Sequence, residues 1–130
     1  MANKTRKKVL VVDSDADMAA MINRCLKEEG FEIDHTFNGH NAFEKTQESD
    51  YDLILADIDI NYTEGISLYS KIKKASPETF DKMIFTTNKL NAELKNFSDF
   101  TERPIIEKPF TVSSFMSTLS GKLLKDFMKD

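Results

Sequence analysis

The sequence YDLILADID, from Tyr51 to Asp59, is the stretch that decides the fold of this chain. Leu53 to Ala56 form a short unbroken apolar run, which is typical of a strand covered on both faces in a parallel sheet. Asp57 ends that run. In open α/β sheets ligands bind in the crevice beyond the carboxyl ends of the strands, so an acid here indicates a site. A helix cap or a turn acid is the alternative, and companions at other strand ends are needed to decide between the two.

Short apolar runs and helical patterns alternate on both sides of this stretch. Strands are predicted at 9–12, 31–35, 53–56, 83–87 and 104–106. Helices are predicted from a cap at Asp15 to Gly30, at 42–49, from Ile66 to Ser76, around 90–97, and from a cap at Thr111 along a stripe through Phe115, Leu119, Leu123 and Phe127. A polar loop is predicted between the third strand and Gly65. Because right-handed crossovers place helices on both faces, five strands and five helices predict a doubly wound α/β three-layer sandwich around a parallel sheet.

Length and composition fit one globular domain over residues 1–130. With 130 residues, 40% of them hydrophobic, the chain can fill a single core and leaves no room for a second domain. The net charge of −4 gives no support to nucleic-acid binding. The apolar runs are far shorter than a membrane span, and residues 1–8 lack the apolar core of a signal peptide. We therefore expect a cytoplasmic protein in which residues 1–6 form a flexible arm.

Polar residues follow four of the predicted strands at the same edge of the sheet. Strand one ends in Asp13 and strand three in Asp57. Strand four ends in Thr87, and Lys108 follows strand five. Converging carboxylates hold protons unless a cation neutralises them, and oxygen ligands favour Mg²⁺. The arrangement predicts a phosphoryl site with Asp57 as nucleophile, Mg²⁺ and Lys108 as counter-charges, and Thr87 as a hydrogen-bond donor.

Six short motifs follow one another along nearly the whole chain. They are VLVVDSD at 9–15, NGHNAFE at 38–44, YDLILADIDI at 51–60, EGISLYSKIK at 64–73, MIFTT at 83–87 and EKPF at 107–110. In this order and at these separations they resemble a response regulator receiver domain of two-component signalling. The resemblance implies a flavodoxin-like sheet of strand order 2-1-3-4-5. It also implies that Asp57 accepts a phosphoryl group from a histidine kinase or phosphotransfer protein, with Thr87 and Lys108 reading the modified state.

The resemblance implies a phosphoacceptor signalling domain and not an enzyme, since it would catalyse at most its own phosphorylation and dephosphorylation. It implies Mg²⁺ ligands from Asp13 and Asp57, with the main-chain carbonyl of Asp59 as a third. Receivers usually carry two adjacent acids after strand one, whereas here Asp13 is followed by Ser14. Ser14 brings no charge and would contribute only weakly or indirectly, so we expect weak binding of Mg²⁺.

Family position also predicts how the signal is passed on and how long it lasts. Asp59 and Lys89 would flank the path of the water that removes the phosphoryl group, and so tune its lifetime. The aromatic switch residue of strand five is replaced by Ile105, so the usual coupling to an inward-turning ring is lost. The face formed by the fourth helix, fifth strand and fifth helix would contact the downstream partner. Phe100 and Ile105 on that face would support a homodimer or a docking site.

The sequence leaves three functions open. The first is a phosphorylatable receiver. The second is a phosphorylation-independent interaction module on the same fold, which Ser14 and Ile105 favour. The third is a haloacid-dehalogenase-like phosphatase, because Asp57 and Asp59 match the acid pair of that family. The phosphatase needs its acid pair near the chain start and a further acidic pair after a later strand, and the sequence has neither.

Overall fold

A computed structural model describes residues 7–63 and 65–119, which form a parallel sheet with helices on both faces. In chain order the elements are β1 (Lys8–Val12), α1 (Ala16–Glu28), β2 (Glu32–Thr36), α2 (Gly39–Glu48), β3 (Leu53–Asp57), β4 (Asn61–Thr63), β5 (Ile66–Ser67), α3 (Leu68–Ala75), α4 (Pro77–Phe80), β6 (Met83–Thr87), α5 (Ala92–Thr101), β7 (Ile105–Glu107) and α6 (Val112–Leu119). The main sheet has the order β2-β1-β3-β6-β7. Counted within this sheet alone, that is the predicted order 2-1-3-4-5, and the flavodoxin-like α/β fold is confirmed.

The apolar strand runs are continuous because both faces of the sheet are covered. Alternate strand residues form two separate clusters. One face contributes Val9, Val11, Leu53, Leu55 and Ile84, which pack with Ile22, Leu26 and Phe115 of α1 and α6. The other contributes Leu10, Val12, Ile54, Ala56 and Phe85, which pack with Ala42, Leu68 and Ile72 of α2 and α3. The polar ends of β1 and β3 therefore emerge together from a fully covered core.

Helix starts predicted from capping residues are confirmed. The Asp15 carboxylate accepts hydrogen bonds from the amides of Asp17 and Met18 at the start of α1. The Thr111 hydroxyl accepts one from the amide of Ser114 at 2.9 Å. Each cap satisfies amides that have no partner within the first helical turn. The helix expected around 90–97 is also present, as α5, and Asn91 caps it.

The segment after β3 was predicted wrongly. We expected a polar loop to Gly65 and a helix from Ile66, but β4 and β5 form an antiparallel hairpin here. Ile66 pairs with Thr63 in that hairpin, and the Ser67 hydroxyl caps a helix that starts at Leu68. The capping serine ends the strand and begins the helix, so Ile66 lies outside α3 and is 47% exposed.

Smaller differences concern helix and strand ends. The third helix ends before Ser76 as predicted, but Ser76 also caps the unpredicted α4, which starts at Pro77. The fifth strand is shifted by one residue, because Pro104 precedes β7 and its carbonyl accepts the Phe85 amide. The predicted arm at 1–6, Glu64, and the stripe positions Leu123 and Phe127 lie outside the described residues. Across 7–63 and 65–119 every helix is too short or too polar to cross a membrane.

Candidate functional site

Three of the predicted site residues meet at the carboxyl edge of the sheet. The Lys108 ammonium donates a hydrogen bond to Asp13 Oδ2 at 2.8 Å and to Asp57 Oδ2 at 3.1 Å. Asp13 is 2% exposed and Lys108 is 8% exposed. The two acids are neighbours because β1 and β3 are paired in parallel, with Val12 opposite Ala56. The lysine is the counter-charge that lets two carboxylates share a nearly buried site.

The remaining carboxylate oxygens are fixed by the backbone that follows each strand. Asp13 Oδ1 accepts the amide of Asp15 at 2.8 Å, and Asp57 Oδ1 accepts the amide of Asp59 at 2.9 Å. Both contacts are turns in which an aspartate bonds the backbone two residues on. Each acid therefore has one oxygen held by its own loop and the other turned to Lys108.

The charge state of Lys108 follows from these contacts. Burial favours the neutral amine and on its own would lower the pKa of Lys108. The hydrogen bonds and negative charges of Asp13 and Asp57 act in the opposite sense and prevail, so the pKa is raised above its ordinary value. Lys108 is a permanent cation at neutral pH.

Lys108 reaches the two acids from the far side of β6. It follows β7 at the edge of the sheet, whereas Asp57 belongs to β3, and β6 lies between these strands. The Lys108 amide donates to the Thr87 carbonyl at 2.7 Å, which ties the backbone of Lys108 to the end of β6. The lysine side chain therefore extends across the end of β6 to reach its partners.

Thr87 lies at this edge, and among the described residues no hydrogen bond joins its hydroxyl to Asp57. Its hydroxyl donates to the Lys89 carbonyl and accepts the Lys89 amide, both at 3.3 Å. The same loop is held by Glu107, whose carboxylate accepts the Leu90 amide at 3.0 Å. The predicted hydrogen-bond donor is thus occupied by the loop between β6 and α5.

Asp59, Lys89 and Ser14 are exposed around the site. In the part of the chain that the structure describes, no ion pair joins Asp59 to Lys89. The roles assigned to these residues from the sequence, in metal binding and in lifetime, stay predictions.

The carboxylates at this edge of the sheet decide whether the site can hold Mg²⁺. Over 7–63 and 65–119, no three His, Cys, Asp or Glu side chains are grouped to hold a metal ion. Mg²⁺ nevertheless needs only one or two carboxylates, because it retains several waters. Asp13 and Asp57 supply those two, although Lys108 hydrogen-bonds one oxygen of each. Asp13 and Asp57 could therefore supply two carboxylate ligands to a hydrated Mg²⁺.

Ile105, the predicted switch position, is half-buried against a cluster of aromatic rings that sequence reasoning missed. Phe85, its register partner, lies with its ring centroid 5.7 Å from that of Tyr69 and 5.7 Å from that of Phe97. The Tyr69 and Phe97 centroids are 4.9 Å apart. These rings join β6, α3 and α5. The signal in the sequence is the aromatic residue in the apolar run MIFTT.

Thr86 is a second residue that the sequence prediction missed. It is 2% exposed and lies opposite Asp57 in the parallel register of β3 and β6. Among the described residues its hydroxyl has no hydrogen-bond partner. The signal in the sequence was a polar side chain next to the apolar residues of this strand. It was overlooked because the adjacent Thr87 matches the threonine of the receiver motif.

Phe100 of α5 is 86% exposed on the predicted partner face.

Known proteins of similar sequence and fold belong to one group. A family model described as the response regulator receiver domain matches residues 9–120. CpdR of Brucella abortus, a response regulator receiver protein, is 27% identical over 91% of this chain and 98% of its own length. TrrA of Thermotoga maritima, a response regulator solved in complex with Mg(2+)-BeF, has a TM-score of 0.71 at 26% identity, over 94% of this chain and 99% of that one.

Some relatives are much longer than this chain. ResD of Bacillus subtilis, a transcriptional regulatory protein, is 38% identical over 59% of this chain, but the match spans only 33% of ResD. The likeness to ResD is therefore confined to about a third of that protein.

Proposed function

This chain belongs to the response regulator receiver domain family, and from that premise we propose that Asp57 accepts a phosphoryl group from a histidine kinase or phosphotransfer protein. The observation that carries the proposal is the Lys108 ammonium held between Asp13 and Asp57 at 2.8 and 3.1 Å. A cation in this position can offset charge on the phosphoryl oxygens as they approach Asp57. Membership of the family indicates a role in two-component signalling. That Asp57 is the phosphoacceptor is the proposed part.

The reaction forms a bond from an Asp57 oxygen to phosphorus and breaks the bond from phosphorus to its donor nitrogen or oxygen. Asp59 holds Asp57 Oδ1 through its amide, which fixes the rotation of the carboxylate and directs Oδ2 toward Lys108. Asp13 and Asp57 would hold Mg²⁺, which when bound supplies further positive charge beside the phosphoryl oxygens. Thr87 would donate to a phosphoryl oxygen after its hydroxyl leaves Lys89.

We expect the wild-type protein to gain the mass of one phosphoryl group when incubated with a small acyl phosphate and Mg²⁺. Asp57→Asn should gain none, because the amide is a poor nucleophile and cannot form the acyl phosphate. Intact mass spectrometry measures both. Asp59→Asn is the matched control: it removes an exposed carboxylate two residues away and should still be modified. A wild-type protein without mass gain at high Mg²⁺ would instead support the phosphorylation-independent interaction module.

Ser14→Asp should tighten Mg²⁺ binding by about tenfold, because it adds a carboxylate to a site that has two. Ser14 is exposed directly after Asp13, so the new side chain has room to reach a hydrated ion. Titration calorimetry measures the affinity. Asp15→Asn is tested beside it, because Asp15 is the next acid in this loop and could reach the ion in place of residue 14. Equal affinities for wild type and Ser14→Asp would show that position 14 does not face the metal.

The output surface that we propose is the α5-β7-α6 face. Phe100 is 86% exposed there, and Ile105 of β7 packs against the aromatic rings beneath it. A second copy of this chain or a downstream protein would bind this face.

The cytoplasmic location of the protein stays a prediction.

A further inference from the structure

The buried hydroxyl of Thr86 lies at the phosphoacceptor site without a role in the proposed function. Thr86 is paired with Asp57 on one side and with Ile106 on the other. Side chains alternate along a strand, and paired residues of neighbouring parallel strands lie on the same face, about 4.8 Å apart. Thr86 therefore shares a face with Asp57, in a position that is 2% exposed.

The strand register places Lys108 and this hydroxyl on the same face of the sheet. Lys108 lies two residues beyond Ile106, hence on the same face, and its ammonium reaches β3 by crossing β6. Thr86 is the last residue of β6 on that face. An ammonium group has three N–H donors, and the contacts to Asp13 and Asp57 use two of them.

Phosphorylation changes what Lys108 must neutralise. The carboxylate of Asp57 becomes part of an acyl phosphate, whose greater negative charge lies on the phosphoryl oxygens. An ammonium that turns to these oxygens gives up the Asp13 contact, and a Mg²⁺ on Asp13 would compete for the same oxygen. The N–H group that had bonded Asp13 then needs another acceptor inside the protein. A hydroxyl oxygen can accept it, because it has two lone pairs.

We propose that Thr86 is a positioning residue for Lys108: its hydroxyl accepts a hydrogen bond from the ammonium group when that group turns from Asp13 toward a phosphoryl group on Asp57. The inference rests on the proposed function of Asp57. It explains why a buried hydroxyl has no partner, among the described residues, in the unmodified protein. An unpaired buried hydroxyl costs stability, and such a cost is retained where another state uses the group.

Thr86→Val tests this directly, because valine keeps the branched shape and removes only the hydroxyl. We expect Thr86→Val to be phosphorylated about tenfold more slowly than wild type, by intact mass with a small acyl phosphate and Mg²⁺. Its melting temperature without phosphodonor should equal or exceed that of wild type, because the lost group had no partner. Thr86→Ser restores the hydroxyl and should recover the rate to within about twofold.

Thr36→Val is the matched control. Thr36 is a buried threonine at the end of β2, paired with Val12 on the opposite face from Asp13. Its substitution should leave the phosphorylation rate unchanged.

The results of these measurements support or overturn the role of the Thr86 hydroxyl. A Thr86→Val rate equal to wild type, or a Thr86→Ser rate as slow as that of Thr86→Val, overturns the role of the hydroxyl. A lower melting temperature for Thr86→Val overturns its premise, because the hydroxyl would then be bonded in the resting state. A wild-type protein that gains no mass overturns the phosphoacceptor and this inference together, whereas the other failures leave the phosphoacceptor intact.

Discussion

Gly39→Ala is expected to lower the free energy of unfolding by about 3 kcal/mol, because the added methyl group has no space. A Cβ at this position would lie 2.0 Å from the carbonyl oxygen of Asn61 and 2.7 Å from its carbonyl carbon. Both are backbone atoms, so relief requires α2 or the hairpin that starts at Asn61 to move. Urea unfolding followed by circular dichroism measures the loss.

Gly30→Ala separates this steric effect from ordinary glycine replacement. Gly30 has a φ of 94°, and a Cβ there meets nothing within 4 Å. Its substitution carries only the backbone penalty, about 1 kcal/mol. Equal losses for the two variants would contradict a clash at Gly39. Because the hairpin follows Asp57 within a few residues, we also expect Gly39→Ala to slow phosphorylation, whereas Gly30→Ala should not.

Lys108→Met should destabilise the protein by about 3 kcal/mol at neutral pH, the usual cost of removing one partner from a buried charge cluster. Methionine preserves much of the length of the side chain, but it leaves the Asp13 and Asp57 carboxylates facing each other without a cation. Side-chain exposures of 3% for Asp13 and 7% for Lys108 mean that water screens this repulsion poorly. Lys89→Met, at an exposed lysine, should change stability by less than about 0.5 kcal/mol. A small loss for Lys108→Met would show that the acids are better solvated than the structure indicates.

The advantage of wild type over Lys108→Met should depend on pH in one direction only. The pKa of Lys108 is raised in the folded protein above the ordinary value of 10.5, so the folded state holds the proton more tightly than the unfolded chain. This contribution is fully present below that ordinary value and is lost as pH rises through the folded pKa. Unfolding at about pH 7 and about pH 9 should give the same difference between the two proteins, and more alkaline solution should reduce it. A difference that grows with alkaline pH would contradict the raised pKa.

The fold was predictable because its signals are local and repeated. Runs such as Leu53 to Ala56 are apolar without interruption, which is typical of a strand covered on both faces. Asp15 and Thr111 mark helix starts through bonds that span two or three residues. The meeting of Asp13, Asp57 and Lys108 followed from topology, since parallel strands bring their carboxyl ends to one edge.

What the sequence did not predict depends on contacts between distant segments. The hairpin of β4 and β5 packs on α2, where the absence of a side chain at Gly39 lets the Asn61 backbone approach closely. The sequence of neither segment indicates that the two are in contact. The Thr87 hydroxyl bonds its own loop, a choice of side-chain rotation that residue type does not determine. Thr86 was not predicted for a related reason. Its position beside Asp57 depends on the register between β3 and β6, which the sequence does not specify.

The contact between Lys108 and Asp13 joins residues 95 positions apart in the sequence, from the ends of two strands separated by β3 and β6. Loop closure over such a distance is repaid only when the intervening strands are already in place. We therefore expect the charge cluster to form late in folding. A chain whose β7 has not docked, or has opened locally, still carries Asp57 but lacks the cation beside it. If Asp57 is the phosphoacceptor as proposed, we expect its reactivity to depend on completion of the sheet, so that partly folded molecules would accept no phosphoryl group.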